Sequence, residues 1–242
     1  MNKWYKADLA FIHDVGFADY ALKSAPGILA ILEQNQIREG LVVDLGCGSG
    51  LWAQELTQAG YLVLGVDISE SMIALAQKRV PNAEFLVASI FQVHIPSCHA
   101  VTSVGECFNY LFDPDNNHTG LVRVFRRIYD ALTPGGVFIF DLAEPGQVAQ
   151  GTTVKNFTEG EDWIVLVEKK ENQETGILTR RIISFRKVGE HYRRSDEVHR
   201  QQLYKSTDIV RVLHQIGFQV VTIHSYGEYS LPPVHIAFIA RK

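Results

Sequence analysis

Asp44-Leu-Gly-Cys-Gly-Ser-Gly50 is the stretch of this chain most plainly suited to holding a ligand. Glycines at 46, 48 and 50 let a backbone turn tightly and approach a bound molecule with no side chain in the way. The spacing is GxGxG, unlike the GxGxxG of dinucleotide-binding turns. Asp44 stands directly before the glycines, where its carboxylate repels a diphosphate and suits an ammonium or a sulfonium. Asp67 closes the apolar run 61–66, at a strand tip from which an acid can accept hydrogen bonds from both hydroxyls of a ribose. Together these residues describe a site for a nucleoside with a zwitterionic tail and no phosphate. A dehydrogenase, which must hold a diphosphate, fits them worst.

Three motifs follow one another in order. Val42-Val-Asp-Leu-Gly-Cys-Gly-Ser-Gly50, Gly65-Val-Asp-Ile-Ser69 and Leu132-Thr-Pro-Gly-Gly136 resemble the successive motifs of class I S-adenosylmethionine-dependent methyltransferases. The resemblance covers roughly residues 41 to 141, and Ile216-Gly217-Phe218 fits the same fold. It implies a Rossmann-like, doubly wound α/β sheet of seven strands, mostly parallel with the last strand antiparallel. It also implies S-adenosyl-L-methionine as cofactor, with S-adenosyl-L-homocysteine left as product. By this analogy Asp44, Gly46, Cys47, Gly48 and Gly50 serve the methionine part and Asp67 the ribose. Ile68, Ser89 and Ile90 border the adenine, and Gly105 lies beside the transferring methyl. Many family members carry an Asp in the loop after the third strand; here it reads Ala88-Ser89-Ile90, so Ser89 or a backbone carbonyl must accept the adenine amino group.

The acceptor side offers three groups of candidates. Gly105-Glu-Cys-Phe-Asn-Tyr-Leu111 follows the fourth strand, at the carboxyl ends where ligands gather. There Glu106, Asn109 and Tyr110 can orient a nucleophile or take its proton, unless Tyr110 simply packs and Asn109 simply turns the chain. His13 and Asp14 interrupt an apolar N-terminal stretch, either as a site or as a helix cap. In the run 192–203, alternation puts Glu197, His199 and Gln201 on one face, so that Glu197 and His199 form an orienter and base, or else a solvated edge. The catalytic candidates are therefore Glu106, His13 and His199, and the substrate-binding candidates Asn109, Tyr110 and Glu197. Arg180-Arg181 and Arg193-Arg194 read as mixed surface charge, because Glu168, Glu171, Glu174 and Glu190 share the same region. The histidines match no compact metal-ligand motif, so no metal is expected.

The elements that must position these groups alternate. Helices are expected at 20–32, 51–59, 70–79, 119–132 and 206–216, the third capped by Ser69 and the last by Ser206. Strands are expected at 41–45, 61–66, 84–87, 100–104, 137–141, 218–224 and 234–240, separated by crossovers that make a parallel sheet. Between 152 and 205 helical periodicity disappears, and strands at 163–168, 177–187 and 192–203 read as an inserted antiparallel meander. A single domain follows, with a helical N-terminal cover (1–40), a cofactor-binding core (41–150), a β-meander lid (151–205) and a C-terminal completion of the sheet (206–242).

Composition narrows the function. The chain has 242 residues, 46% hydrophobic and 21% charged, and a formal net charge of −4, which supplies no general basic footprint for nucleic acid. Three cysteines form no CxxC pair, and no run approaches the roughly 20 apolar residues of a membrane helix. A cytoplasmic enzyme acting on a small molecule is expected, with no nucleic acid or membrane partner. A methyltransferase for protein or RNA, or a non-catalytic S-adenosylmethionine sensor, remains as the alternative.

Overall fold

The computed structural model describes residues 4–242; Met1 to Lys3, part of the expected N-terminal cover, lie outside the described residues. Two helices open the chain, α1 (Ala7–Gly16) and α2 (Asp19–Gln34). The first parallel half of the sheet follows: β1 (Leu41–Leu45), α3 (Leu51–Gln58), β2 (Leu62–Asp67), α4 (Glu70–Arg79), β3 (Glu84–Val87), β4 (Cys98–Ser103), α5 (His118–Ala131) and β5 (Leu132–Ala143). Four antiparallel strands come next, β6 (Val154–Gly160), β7 (Trp163–Asn172), β8 (Ile177–Val188) and β9 (His191–Gln202). The chain ends with α6 (Ser206–Ile216), β10 (Gln219–Ile223), a small hairpin of β11 (Ser225–Tyr226) and β12 (Tyr229–Ser230), and β13 (His235–Arg241).

The large sheet has seven strands in the order β10-β13-β5-β4-β1-β2-β3, with β13 antiparallel to both its neighbours. The strands are apolar on both faces because helices cover both. Val43 and Leu45 point into the core beneath α5 and α6, whereas Val42 points into the one beneath α2, α3 and α4. Strand order reverses between β1 and β4, so their carboxyl ends open a crevice.

Several local expectations change. Thr133-Pro-Gly-Gly136 is not a turn ahead of a strand. Cys98 pairs with Leu132 and Ala100 with Val137, so these four residues bulge within one long strand. Ser69 does cap α4, accepting from the Met72 amide at 3.2 Å. Ser206 does not cap α6; its own amide donates to Glu144 Oε1 at 2.8 Å. Strands β6, β11 and β12 had no expectation, and α1 had one only as part of the helical N-terminal cover. Strand β6 is exposed along its whole length, so no burial phase marks it, and α1 has only a weak apolar face, which docks on β7 and β8 through Leu9, Ile12, Trp163, Val165 and Ile182.

No single helix among the described residues is long and apolar enough to cross a membrane.

Candidate active site

The loop after β1 is pinned to β2. Val66 O accepts from the amides of Gly46 (2.7 Å) and Cys47 (3.0 Å), and Asp67 Oδ2 accepts from Gly48 N at 3.0 Å. Asp67 Oδ1 accepts from Ser69 N at 2.8 Å, so one carboxylate organises both the loop and the start of α4. Gly46 and Gly48 sit at φ +82° and +52°, in the left-handed region. A Cβ on Gly48 would meet no protein atom within 4 Å, because this residue borders a cavity of about 590 Å³.

Gly46, Gly48, Asp67, Ile68, Ser89, Ile90 and Gly105 line that cavity. Asp44, Cys47 and Gly50 stand behind its wall: Asp44 and Cys47 are buried, and Gly50 packs against Ala76 of α4. Ser89 Oγ accepts from Phe91 N at 3.1 Å, which holds the turn after β3.

Asp44 Oδ1 accepts from Thr102 Oγ1 at 2.8 Å, and Thr102 accepts in turn from Trp52 Nε1 at 3.0 Å. Burial pushes the Asp44 carboxyl up to about 7 and raises Asp67 as well. Neither acid has a cationic partner among the described residues, so a cationic ligand would supply what the protein withholds. The open space at Gly48, the acid at the β2 tip and these uncompensated carboxylates fit a nucleoside bearing an ammonium and a sulfonium.

The opposite wall comes from distant parts of the chain. Glu106 follows β4 in the left-handed conformation, φ +57°, and Gly105 before it is at +93°. Asp141, at the end of β5, holds this bend by accepting from the amides of Gly105 (3.0 Å) and Glu106 (2.6 Å). Burial raises the Asp141 carboxyl to about 6. Burial also works to raise Glu106, but Arg180 at 2.8 Å and His235 at 3.4 Å outweigh it and hold this carboxyl at about 2. His235 is raised in return: burial lowers it, and its contacts with Glu106 and the Pro233 carbonyl more than offset that.

Tyr110 and His13 line the cavity as well. The Tyr110 hydroxyl accepts from Arg180 Nη1 at 3.2 Å and lies 3.3 Å from the Tyr5 hydroxyl. Burial lowers His13 to about 4, so its imidazole is neutral near pH 7, and its Nδ1 is buried without a partner. Asp14 does not join it; it pairs with Arg79 at 2.8 Å and ties α1 to α4.

Three predicted site residues lie elsewhere. Asn109 is fully buried and bonds Ala143 N, Ala143 O and Gln202 O, so it splices β5 to β9 and has no face for substrate. Glu197 and His199 do meet, at 2.8 Å, on the inward face that alternation gives them. They do not line the cavity, however. Glu197 accepts from Tyr5 N (2.8 Å) and Lys6 N (2.9 Å), anchoring the chain ahead of α1, and His199 is sealed beneath Tyr5 and Phe112. The pair clamps the N-terminal segment over the site and lies outside the reacting space.

Sequence reasoning missed Arg180, Lys169 and His235 on the cavity wall, and Asp141 behind it. A signal existed for two of them. Arg180 falls between Leu178 and Ile182 in the buried phase of β8, and Lys169 follows Trp163, Val165 and Val167 in the same phase of β7.

A methyltransferase-domain family model matches residues 42–136. A protein of Geobacillus sp. (strain WCH70) named as a methyltransferase is 28% identical over 190 residues, 75% of each chain. A trans-aconitate 2-methyltransferase of Delftia acidovorans is 40% identical over 136 residues, 55% of this chain and 48% of the relative. An 18S rRNA (guanine-N7)-methyltransferase of Saccharomyces cerevisiae is 31% identical over 106 residues, 40% of this chain and 38% of the relative. Among solved structures, an S-adenosylmethionine-dependent methyltransferase from Clostridium acetobutylicum shares the fold with a TM-score of 0.81, covering 98% of both chains at 21% identity.

Proposed function

We propose that this chain is a class I S-adenosylmethionine-dependent methyltransferase that acts on a small-molecule acceptor. When bound, S-adenosylmethionine supplies a methyl group on a sulfonium, open to in-line attack by an oxygen, nitrogen or carbon nucleophile. One observation carries the acceptor reading. The cavity at the strand tips is roofed by α1 and by β7 and β8, which contribute His13, Val165, Val167 and Ile182 to its lining. The cavity's volume of about 590 Å³ must hold the cofactor as well, so the share left under the roof suits a small acceptor. The relative named for trans-aconitate supports the same reading.

In this reading the Gly46–Gly48 backbone and Asp67 hold the methionine and ribose parts of the cofactor, with Ile68, Ser89 and Ile90 beside the adenine. Tyr110 and Glu106 orient the acceptor. Glu106, held at about 2, is too weak a base to take a proton near neutral pH. His13, lowered to about 4, is a weak base there as well; neutral, lining the cavity and with Nδ1 unpaired, it is assigned the accepting of a hydrogen bond from a nucleophile that arrives protonated. Most of the rate then comes from positioning and from exclusion of water under the roof.

The test offers methyl-labelled S-adenosylmethionine and the purified protein, in parallel, a small-molecule extract, total RNA and a protein extract. Label should appear in the small-molecule fraction. Transfer to RNA or protein alone would sink the reading.

A further inference from the structure

Lys169 and Arg180 face one another across β7 and β8 as register partners, and both line the cavity. Two cations directly opposite on one sheet face repel and weaken the sheet. Solvent does little to relieve Arg180, whose side chain keeps only 13% of its exposure, and Lys169 is half-buried. A single acid, Glu106, meets the pair, and Arg180 already holds it at 2.8 Å. Arg180 uses Nη1 on Tyr110 and Nη2 on Glu106, which leaves Nε buried with no acceptor. The Lys169 ammonium has neither an ion-pair nor a hydrogen-bond partner among the described residues. Burial and the neighbouring Arg180 both press its pKa down, as happens to a cation without its counter-ion. Around these donors the same sheet face is apolar, through Val165, Val167 and Ile182.

We infer that Lys169 Nζ and Arg180 Nε form a subsite for a carboxylate of the acceptor, so that the molecule methylated is a small organic anion. This rests on the small-molecule reading above. A buried guanidinium N–H without an acceptor costs free energy, and a carboxylate seated between it and the ammonium relieves both at once. Two cations would then face two anions, Glu106 and the ligand. A doubly charged phosphate fits less well, because Glu106 stands beside the subsite and the two free donors match one carboxylate group.

Benzoate and benzamide, similar in shape and different in charge, test the subsite by calorimetry on protein saturated with S-adenosylhomocysteine. Benzoate should bind at least about fivefold more tightly. Lys169→Met should erase that preference while leaving S-adenosylhomocysteine affinity within about twofold of wild type. Its melting temperature should hold or rise, because the substitution removes an unpaired cation. Equal binding of the two probes, binding of neither at tens of millimolar, or a preference that survives Lys169→Met would each overturn the inference. The labelling experiment separates the two levels. A neutral or cationic small-molecule product overturns the carboxylate subsite alone, whereas label confined to RNA or protein defeats the small-molecule reading beneath it.

Discussion

Around the glycine loop, the acids at or just behind the cavity wall, Asp44 and Asp67, have no cationic partner, and Arg79, which donates to Ser49 O, is paired with Asp14. Under the antiparallel sheet the cations are Arg180 and Lys169, with Glu106 as the acid they share. Each half holds charge that the protein leaves incompletely balanced, and the signs are opposite. The halves also differ in how they are assembled. The acid half joins the tips of two adjacent parallel strands through backbone hydrogen bonds between residues about 20 apart in sequence. The cation half joins residues 70 and 74 positions apart through side chains, Arg180 to Tyr110 and Arg180 to Glu106. A domain can thus keep its cofactor end constant and vary its acceptor end, since the two share little besides the cavity. The family model stops at residue 136 and includes none of the roof.

The largest effect should come from breaking the ion pair that holds the cation half together. Arg180→Met leaves Glu106 buried beside the weaker His235 contact, and stranding one partner of a buried pair costs about 3–5 kcal/mol. The melting temperature should fall by roughly 10 °C in a chain of this size. Adding Glu106→Gln should recover much of the loss. A single variant that melts like wild type would show that His235 alone satisfies Glu106, and the two halves would no longer differ in this way.

Next in size is Asp67→Ala, which acts on the acid half. The ribose would lose hydrogen bonds to a charged acceptor, each worth about 1.5–3 kcal/mol, and the Gly48 amide would lose its anchor. S-adenosylhomocysteine affinity should drop about tenfold or more by calorimetry, while the benzoate preference of the cation half survives. Normal cofactor binding would mean that Asp67 only braces the loop.

How much of each half was legible in the sequence follows from the same contrast. The glycine loop and Asp67 were readable because β1, the loop and β2 are neighbours in sequence and in space, and the apolar runs end where the acids begin. The seven-stranded sheet and its antiparallel last strand, β13, are as the family resemblance implies. The cation half was hidden because its partners are far apart and because Arg180-Arg181 looks like surface charge. In the fold Arg181 is 54% exposed and Arg180 13%, so adjacent arginines on one strand lead opposite lives. Alternation placed Glu197 and His199 on the correct face, yet a face does not tell what covers it, and here the N-terminal segment does.

The smallest expected effect is in the pH dependence, where the halves should respond in opposite directions. Folding raises Asp44 to about 7. An acid whose folded pKa lies above its unfolded value, about 3.9 for Asp, removes stability as pH rises from the unfolded value through the folded one. Glu106, held at about 2, does the reverse. Its contribution is complete above its unfolded value of about 4.3 and is lost as pH falls through the folded value. A cation seated near Asp44 and Asp67 favours their ionised forms, and because Asp44 lies at about 7, the cation's binding releases protons near neutral pH. Affinity for S-adenosylmethionine should therefore rise a few-fold between pH 6 and pH 8, to a ceiling of about tenfold for one group near 7. S-adenosylhomocysteine lacks the sulfonium charge, and its profile should be shallower. Calorimetry at pH 6, 7 and 8 in two buffers of different ionisation enthalpy would measure both the affinity and the proton release. Flat profiles for both ligands, with no proton released, would mean that Asp44 does not change protonation when the ligand binds, and the acid half would lose the pH signature that sets it apart from the cation half.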